Sequence, residues 1–206
     1  MVHPTIKRRG FFLALFSIGL LTLCGCAVLE QYLQMATLSK CQFRLASVEG
    51  TTLAGIPLQG KTKSSDLGLL QLTQLQTAFL TGSLPLAFTL NIEVKNPNSS
   101  AAGINKFAWI LSMDDMDLTS GLLERQVTIQ ANGGTGTIPL NISLDTKKVL
   151  SGKSWDSILN LAMNIAGEGN KPSKLSLKLK PSILIAGQEL SYPDYLTVSH
   201  TFSTEK

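Results

Sequence analysis

The chain has 206 residues, 44% hydrophobic and 16% charged, with a formal net charge of +4, two histidines and three cysteines. That length and apolar content suffice for one domain with a substantial core and demand no second. Three cations, Lys7, Arg8 and Arg9, sit near the N-terminus; without residues 1–25 the net charge is +1, and no basic stripe with interleaved aromatics remains, which excludes a nucleic-acid footprint.

The first expected element is a secretory signal peptide over residues 1–25. Lys7 to Arg9 form a basic n-region, and the uncharged run from Phe11 to Leu23 is the apolar h-region. The run is shorter than the roughly 20 apolar residues a membrane-spanning helix needs. Its ending, Leu23, Cys24, Gly25 and Cys26, resembles the lipobox of bacterial lipoproteins, with Leu three residues before a cysteine and a small residue directly before it. Cys26 fits that spacing; Cys24, preceded directly by Leu23, does not. The resemblance implies cleavage after Gly25, acylation of Cys26 including palmitate, and attachment by several chains, where one chain alone binds only marginally. It also implies a place in the bacterial envelope. Ala27, where Asp would retain a protein at the inner membrane, resembles an outer-membrane sorting signal.

Residues 26–40 read as the lipidated N-terminus and spacer, and residues 41–206 as one β-sandwich domain. Period-two alternation begins at Phe43 and Leu45, and a short apolar piece from Leu53 to Leu58 ends at Gly60. The clearest strand spans Leu84 to Lys95, with Leu86, Phe88, Leu90, Ile92 and Val94 on one face. The same pattern recurs at Phe107, Trp109, Leu111 and Met113, at Val127 and Ile129, at Ile138 to Leu144, and at Leu175, Leu177 and Leu179. Turn chemistry places breaks at Asn96 to Asn98, at Thr119 to Gly121, and at Asn132 to Gly134 as a hairpin turn. Two helices interrupt the rhythm. One places Leu69, Leu72, Leu75 and Phe79 on one face; the other, from a Ser154 cap to a Gly167 stop, places Trp155, Ile158, Leu159, Ala162 and Ile165 on one face. Several strands at this spacing predict a mainly β, antiparallel sandwich with two added short helices.

Candidate chemistry is sparse. His200 is the one histidine beyond the signal, it lies in a strand pattern, and no serine occupies a Gly-x-Ser-x-Gly elbow. Zinc lacks paired ligands, and Asp114, Asp115 and Asp117 lack the Gly and terminal Glu of a calcium loop, so they read as a strand end before a turn. Glycines 133, 134 and 136 precede no Lys-Ser/Thr pair and cradle no phosphate. Once Cys24 leaves and Cys26 is acylated, Cys41 has no partner thiol and reads as a buried, inert one. No catalytic, metal or cofactor-binding residue is therefore expected, and no enzymatic activity.

Leu86 to Asn98, reading LAFTLNIEVKNPN, followed by Ile104 to Met113, Gly121, and a strand carrying Ile138, Pro139 and Leu140, resembles the late-embryogenesis-abundant type 2 family, whose module is also called the WHy domain. The resemblance covers residues 84–148. Asn96, Pro97 and Asn98 are its hallmark and read as structural: Pro97 cannot donate to a ladder, and the flanking amides bond nearby backbone. The resemblance implies an immunoglobulin-like or fibronectin-III-like sandwich and an association with desiccation and stress. Expected partners are the membrane, through the lipid, and either an envelope protein or an apolar ligand such as a lipid. The alternatives to a stress role are thus an interaction module of an envelope assembly and a carrier of that ligand.

Overall fold

The computed structural model describes residues 33, 36–61, 64–169, 172–185 and 188–202, so the expected signal peptide and Cys26 lie outside the described residues. In chain order the elements are β1 (Gln42–Leu53), β2 (Ile56–Pro57), α1 (Leu69–Thr81), β3 (Pro85–Asn96), β4 (Ala102–Met113), β5 (Met116–Ile129), β6 (Gly134–Asp145), α2 (Thr146–Val149), α3 (Trp155–Ile165), β7 (Ser173–Ile185), β8 (Gln188–Ser191) and β9 (Leu196–Phe202). Alternation decides how they layer. β3 buries Leu86, Phe88, Leu90, Ile92 and Val94, while β6 buries Ile138, Leu140, Ile142 and Leu144. One sheet has the order β2-β1-β3-β6. The other has β5-β4-β7, with β8 paired to the C-terminal part of β7 and β9 to its N-terminal part. All pairings are antiparallel. Phe107, Trp109, Leu111 and Met113 of β4 and Leu175, Leu177 and Leu179 of β7 meet the first sheet in a shared core, giving the expected antiparallel β-sandwich with added helices. Pro139 sits midway along β6, an edge strand of its sheet, where a residue without an N–H blunts further pairing.

The turns differ from expectation in three places. Leu53 to Leu58 is not a separate strand but the end of β1, a tight turn at Ala54 and Gly55 (φ 48° and 80°), and the two residues of β2. The β4–β5 turn falls at Asp114 and Asp115 (φ 48° and 64°), whereas Thr119, Ser120 and Gly121 pair in mid-strand with Leu111, Ile110 and Trp109. A two-residue hairpin turn takes left-handed backbone at both central positions, which Asp tolerates through local hydrogen bonding. Gly121 is a glycine for another reason: a Cβ there would lie 2.5 Å from Cζ2 of the Trp109 indole. Asn132 and Gly133 (φ 58° and 87°) do form a tight turn, but it is not a hairpin. β5 pairs with β4 and β6 with β3, so this turn carries the chain from one sheet to the other.

α3 follows its sequence pattern. Ser154 Oγ accepts the Ser157 N–H at 3.3 Å, Ile158, Leu159, Leu161, Ala162 and Ile165 are buried, and Gly167 (φ 77°) follows the end. α1 follows it only in part: Leu75 is buried and Leu72 and Phe79 pack on the core, but Leu69 is 82% exposed, as are Leu70 and Leu80. The helix caps one end of the sandwich through its middle, with Phe79 edge-on to Trp155 at 5.8 Å and Lys147 Nζ 3.9 Å above the Phe79 ring, so its first turn overhangs.

β3 runs from this helical end to Asn96 at the other. At the helical end, Asp145 joins three elements, its Oδ1 accepting the N–H groups of Leu84 and of Lys147, both at 3.1 Å, the latter capping α2. Burial pushes its pKa up, but the amides of Leu84 and Lys147, the Ser83 hydroxyl and the Lys148 charge outweigh that and hold it below its ordinary value of 3.8. A depressed folded pKa contributes stability that is present above the ordinary value and lost as pH falls through the lower one. Asp145→Ala is expected to reduce stability by about 1 kcal/mol at pH 7. Urea melts should show the gap to the unsubstituted protein closing at acid pH; a gap that widens there would contradict the assignment.

Candidate functional site

The residues singled out by the sequence lie at the end of the sandwich opposite the helices. Asn96, the last residue of β3, is fully buried, and its amide is saturated. Nδ2 donates to the carbonyls of Ser100 at 2.9 Å and Ile129 at 3.1 Å. Oδ1 accepts the backbone N–H of Asn98 at 3.0 Å and the Asn98 Nδ2 at 2.8 Å. Pro97 ends the strand between them, as its fixed φ and missing donor require. The backbone takes part too: Asn132 N–H donates to the Asn98 carbonyl and Gly133 N–H to the Asn96 carbonyl, both at 2.7 Å. The buried amide therefore locks β3, the β3–β4 loop and the end of β5 together, and the backbone carbonyls of Asn96 and Asn98 hold the inter-sheet turn.

Asn98 adds a connection that sequence reasoning missed. Its Nδ2 donates to the carbonyl of Thr37 at 3.2 Å, within the segment expected to be spacer. Residues 36–38 form a helical turn, Leu38 is buried at 1% exposure, and Cys41 Sγ donates to the Thr37 carbonyl at 3.6 Å. The apolar Leu38 was the local signal; the bond from Asn98 to Thr37, 61 positions away, had none. The end of the spacer is thus packed against the sandwich.

The remaining candidates resolve into structural roles. Cys41 is half-buried and free, and burial pushes its thiol pKa up, away from the thiolate that reactivity requires. His200 stacks edge-on against Phe202 at 4.9 Å, beside a cavity of about 30 Å³ between β1 and β9. Asp114 Oδ1 accepts the Lys174 N–H at 2.8 Å, and Asp117 Oδ1 accepts the Ser112 hydroxyl at 2.6 Å, so these carboxylates brace a hairpin and do not converge. Among the described residues, no group of three or more His, Cys, Asp or Glu side chains could hold a metal ion. None of their helices is long and apolar enough to cross a membrane.

Two kinds of space are present. Inside, the cavity beside His200 and one of about 10 Å³ lined by Phe43, Ile104, Phe107 and Ile138 hold no more than a water or two. Outside, an open groove of about 430 Å³ runs between α3 and the β4–β5 hairpin, with Met113, Met116, Leu150, Leu161 and Pro172 as its apolar wall. Its polar lining is partly committed within the protein, since Asn164 Nδ2 donates to Ser173 Oγ at 2.6 Å. Apolar wall, polar rim and volume fall in the range of ligand or peptide sites.

No family model matches the chain, and no curated protein matches it. Solved structures similar to it include the following two. A crystal structure of a protein from Archaeoglobus fulgidus is 14% identical with a TM-score of 0.35, over 78% of this chain and 99% of that one. A solution structure of a protein from Arabidopsis thaliana is 12% identical with a TM-score of 0.37, over 56% of this chain and 68% of that one. The β-sandwich assignment rests on the strand pairing of this chain itself.

Proposed function

We propose that the chain is a non-enzymatic lipoprotein of the bacterial envelope, acylated at Cys26, whose late-embryogenesis-abundant type 2 sandwich serves a stress-protection or binding role at the membrane surface, in the outer membrane. The observation that carries this reading is the Asn96 corner. The residues behind the family resemblance form a buried hub that, through Asn98, also grips Thr37, in the segment that follows the anchor cysteine. The anchor and the module are thereby joined by a short connection, as suits a domain working close to a bilayer.

The intact mass of the full chain from bacterial membranes tests it. A mature N-terminus at Cys26 carrying acyl chains is expected, and Cys26→Ser is expected to abolish both the added mass and the cleavage after Gly25. A membrane-fraction protein retaining residues before Cys26 would overturn the reading. Poorer survival of a deletion strain through drying supports the stress limb, and unchanged survival removes it in favour of binding. The groove beside α3 favours an interaction module as the second reading, with stoichiometric co-purification of an envelope protein as its test. The cavities of about 30 and 10 Å³ are too small for a lipid, so a carrier of an apolar ligand would have to use the same open groove.

A further inference from the structure

The open groove between α3 and the β4–β5 hairpin has two unlike linings. Met113, Met116, Leu150 and Leu161 make one of them apolar. Beside them runs a polar row. Ser157, Asn160 and Asn164 are spaced three and four residues apart, which places them within roughly 60° of one another on α3, and Lys153 stands just before the helix at the head of the row. At its foot, Asn164 and Ser173 are 9% and 5% exposed, and Asn164 Nδ2 donates to Ser173 Oγ at 2.6 Å. A hydroxyl that accepts a hydrogen bond keeps its own hydrogen to donate, so Ser173 brings a buried donor to the groove it lines. Ser157 is already shared with Ser154 at 3.0 Å, whereas the exposed Asn160 amide has no hydrogen-bond partner among the described residues. Nor does any carboxylate among them pair with Lys153. The one acid of the lining, Asp114, accepts the Lys174 N–H at 2.8 Å.

We propose that this groove binds an extended segment of another polypeptide, its backbone along Asn160 and Ser173, an apolar side chain against the methionines and leucines, and a carboxylate on Lys153. The inference rests on the interaction reading above and gives that groove its occupant. A primary amide carries the same donor and acceptor as a peptide unit, so an open asparagine beside an apolar wall matches a chain that alternates peptide groups with side chains; an acyl tail would leave the amide unmatched. Uncommitted donors on Lys153 and Ser173 call for acceptors, which a peptide carbonyl and a carboxylate supply. The two methionines suit such a wall, since an unbranched thioether adapts to apolar side chains of differing shape. Position favours a partner from the aqueous side. β4 starts at Ala102, opposite Ile129 of the Asn96 corner, and ends at Met113 in the groove. Its 12 residues, at about 3.3 Å per step, put roughly 36 Å between the two. The segment that leads to Cys26 is held at the corner, where Asn98 bonds Thr37, so the groove is presented away from the end that carries the anchor.

Binding of a positional-scanning library of acetylated, amidated tetrapeptides to the full chain in lipid nanodiscs tests this. The expected result is that pools with Leu, Met or Phe at one position and Asp or Glu at another bind best. Lys153→Gln should weaken the acidic pools about tenfold and leave the neutral ones unchanged, and Asn160→Ala should weaken every pool about fivefold. Both residues are exposed, so neither substitution should move the urea midpoint. The proposal is overturned if no pool binds at about 1 mM, or if the acidic preference survives Lys153→Gln. Decanoate that binds where no pool does, and that Lys153→Gln weakens, overturns it too and makes the groove a site for apolar acids. Co-purification with the same variants separates the two failures. A stoichiometric envelope partner that still binds both variants sinks this inference alone, and the absence of any such partner together with the absence of peptide binding sinks the interaction reading with it.

Discussion

Asn96→Ala is expected to destabilise the protein by roughly 3 kcal/mol, because a buried hydrogen-bonding hub is removed and its partners remain. The Ile129 carbonyl loses its buried donor, and Asn98 loses the acceptor that orients both its backbone and its side chain. Asn98 in turn stops holding Thr37, so residues 36–40 should become sensitive to protease while β3 and β6 stay protected in the remaining folded population. Asn96→Asp should be at least as severe despite its identical shape. A carboxylate would face the Ser100 and Ile129 carbonyls, two acceptors to which the amide now donates. Urea denaturation of the three proteins measures this. An Asn96→Asp variant as stable as the unsubstituted protein at pH 7 would show that the corner does not depend on donation from Nδ2.

Gly121→Val is the second large effect, roughly 2–3 kcal/mol from overpacking. Gly121 is directly opposite Trp109 in the β4–β5 pairing, and the indole lies across it, with Cζ2 2.5 Å and Cε2 2.8 Å from where a Cβ would stand. The indole is almost wholly buried, so it has little room to swing away. Trp109→Phe supplies the room and also removes the indole N–H, which is buried with no hydrogen-bond partner. Placing Gly121→Val in the Trp109→Phe background should therefore recover at least half of the loss, a coupling of about 1 kcal/mol or more in a double-mutant cycle. Additive effects would mean that the glycine serves the backbone and not the indole.

These two positions show how differently the sequence informs on similar-looking signals. Asn96, Pro97 and Asn98 announced a strand-ending corner, and the corner is there, since a proline without a donor and two short amides constrain the backbone within a few residues. Gly121 announced a turn and is mid-strand. A glycine that frees a backbone and a glycine that makes room for a cross-strand ring look identical along the chain, and only the register of β4 on β5 tells them apart. The tight turn, six positions before Gly121, is carried by Asp114 and Asp115, which read as a strand end before a turn and not as the turn itself, because adjacent aspartates more often mark solvent than left-handed backbone. Asn132 and Gly133 were recognisable as a turn, but their role as a bridge between sheets follows from the choice of partners by β5 and β6.

The sequence by itself determined that the segments of β1, β3, β4, β6 and β7 are strands, which faces of β3, β4, β6 and β7 are buried, and that α3 is an amphipathic helix, because each depends on a period of two or 3.6 residues that is complete within one segment. Tertiary structure alone decided which strands pair, why Gly121 is a glycine, that Asn98 reaches back to Thr37, and that Leu69, Leu70 and Leu80 of α1 stay outside. Periodicity ranks the faces of an element but does not measure how much partner surface the rest of the chain brings to them. For α1 the sandwich supplies enough to cover Leu75 and Phe79 and none for the leucines at its two ends.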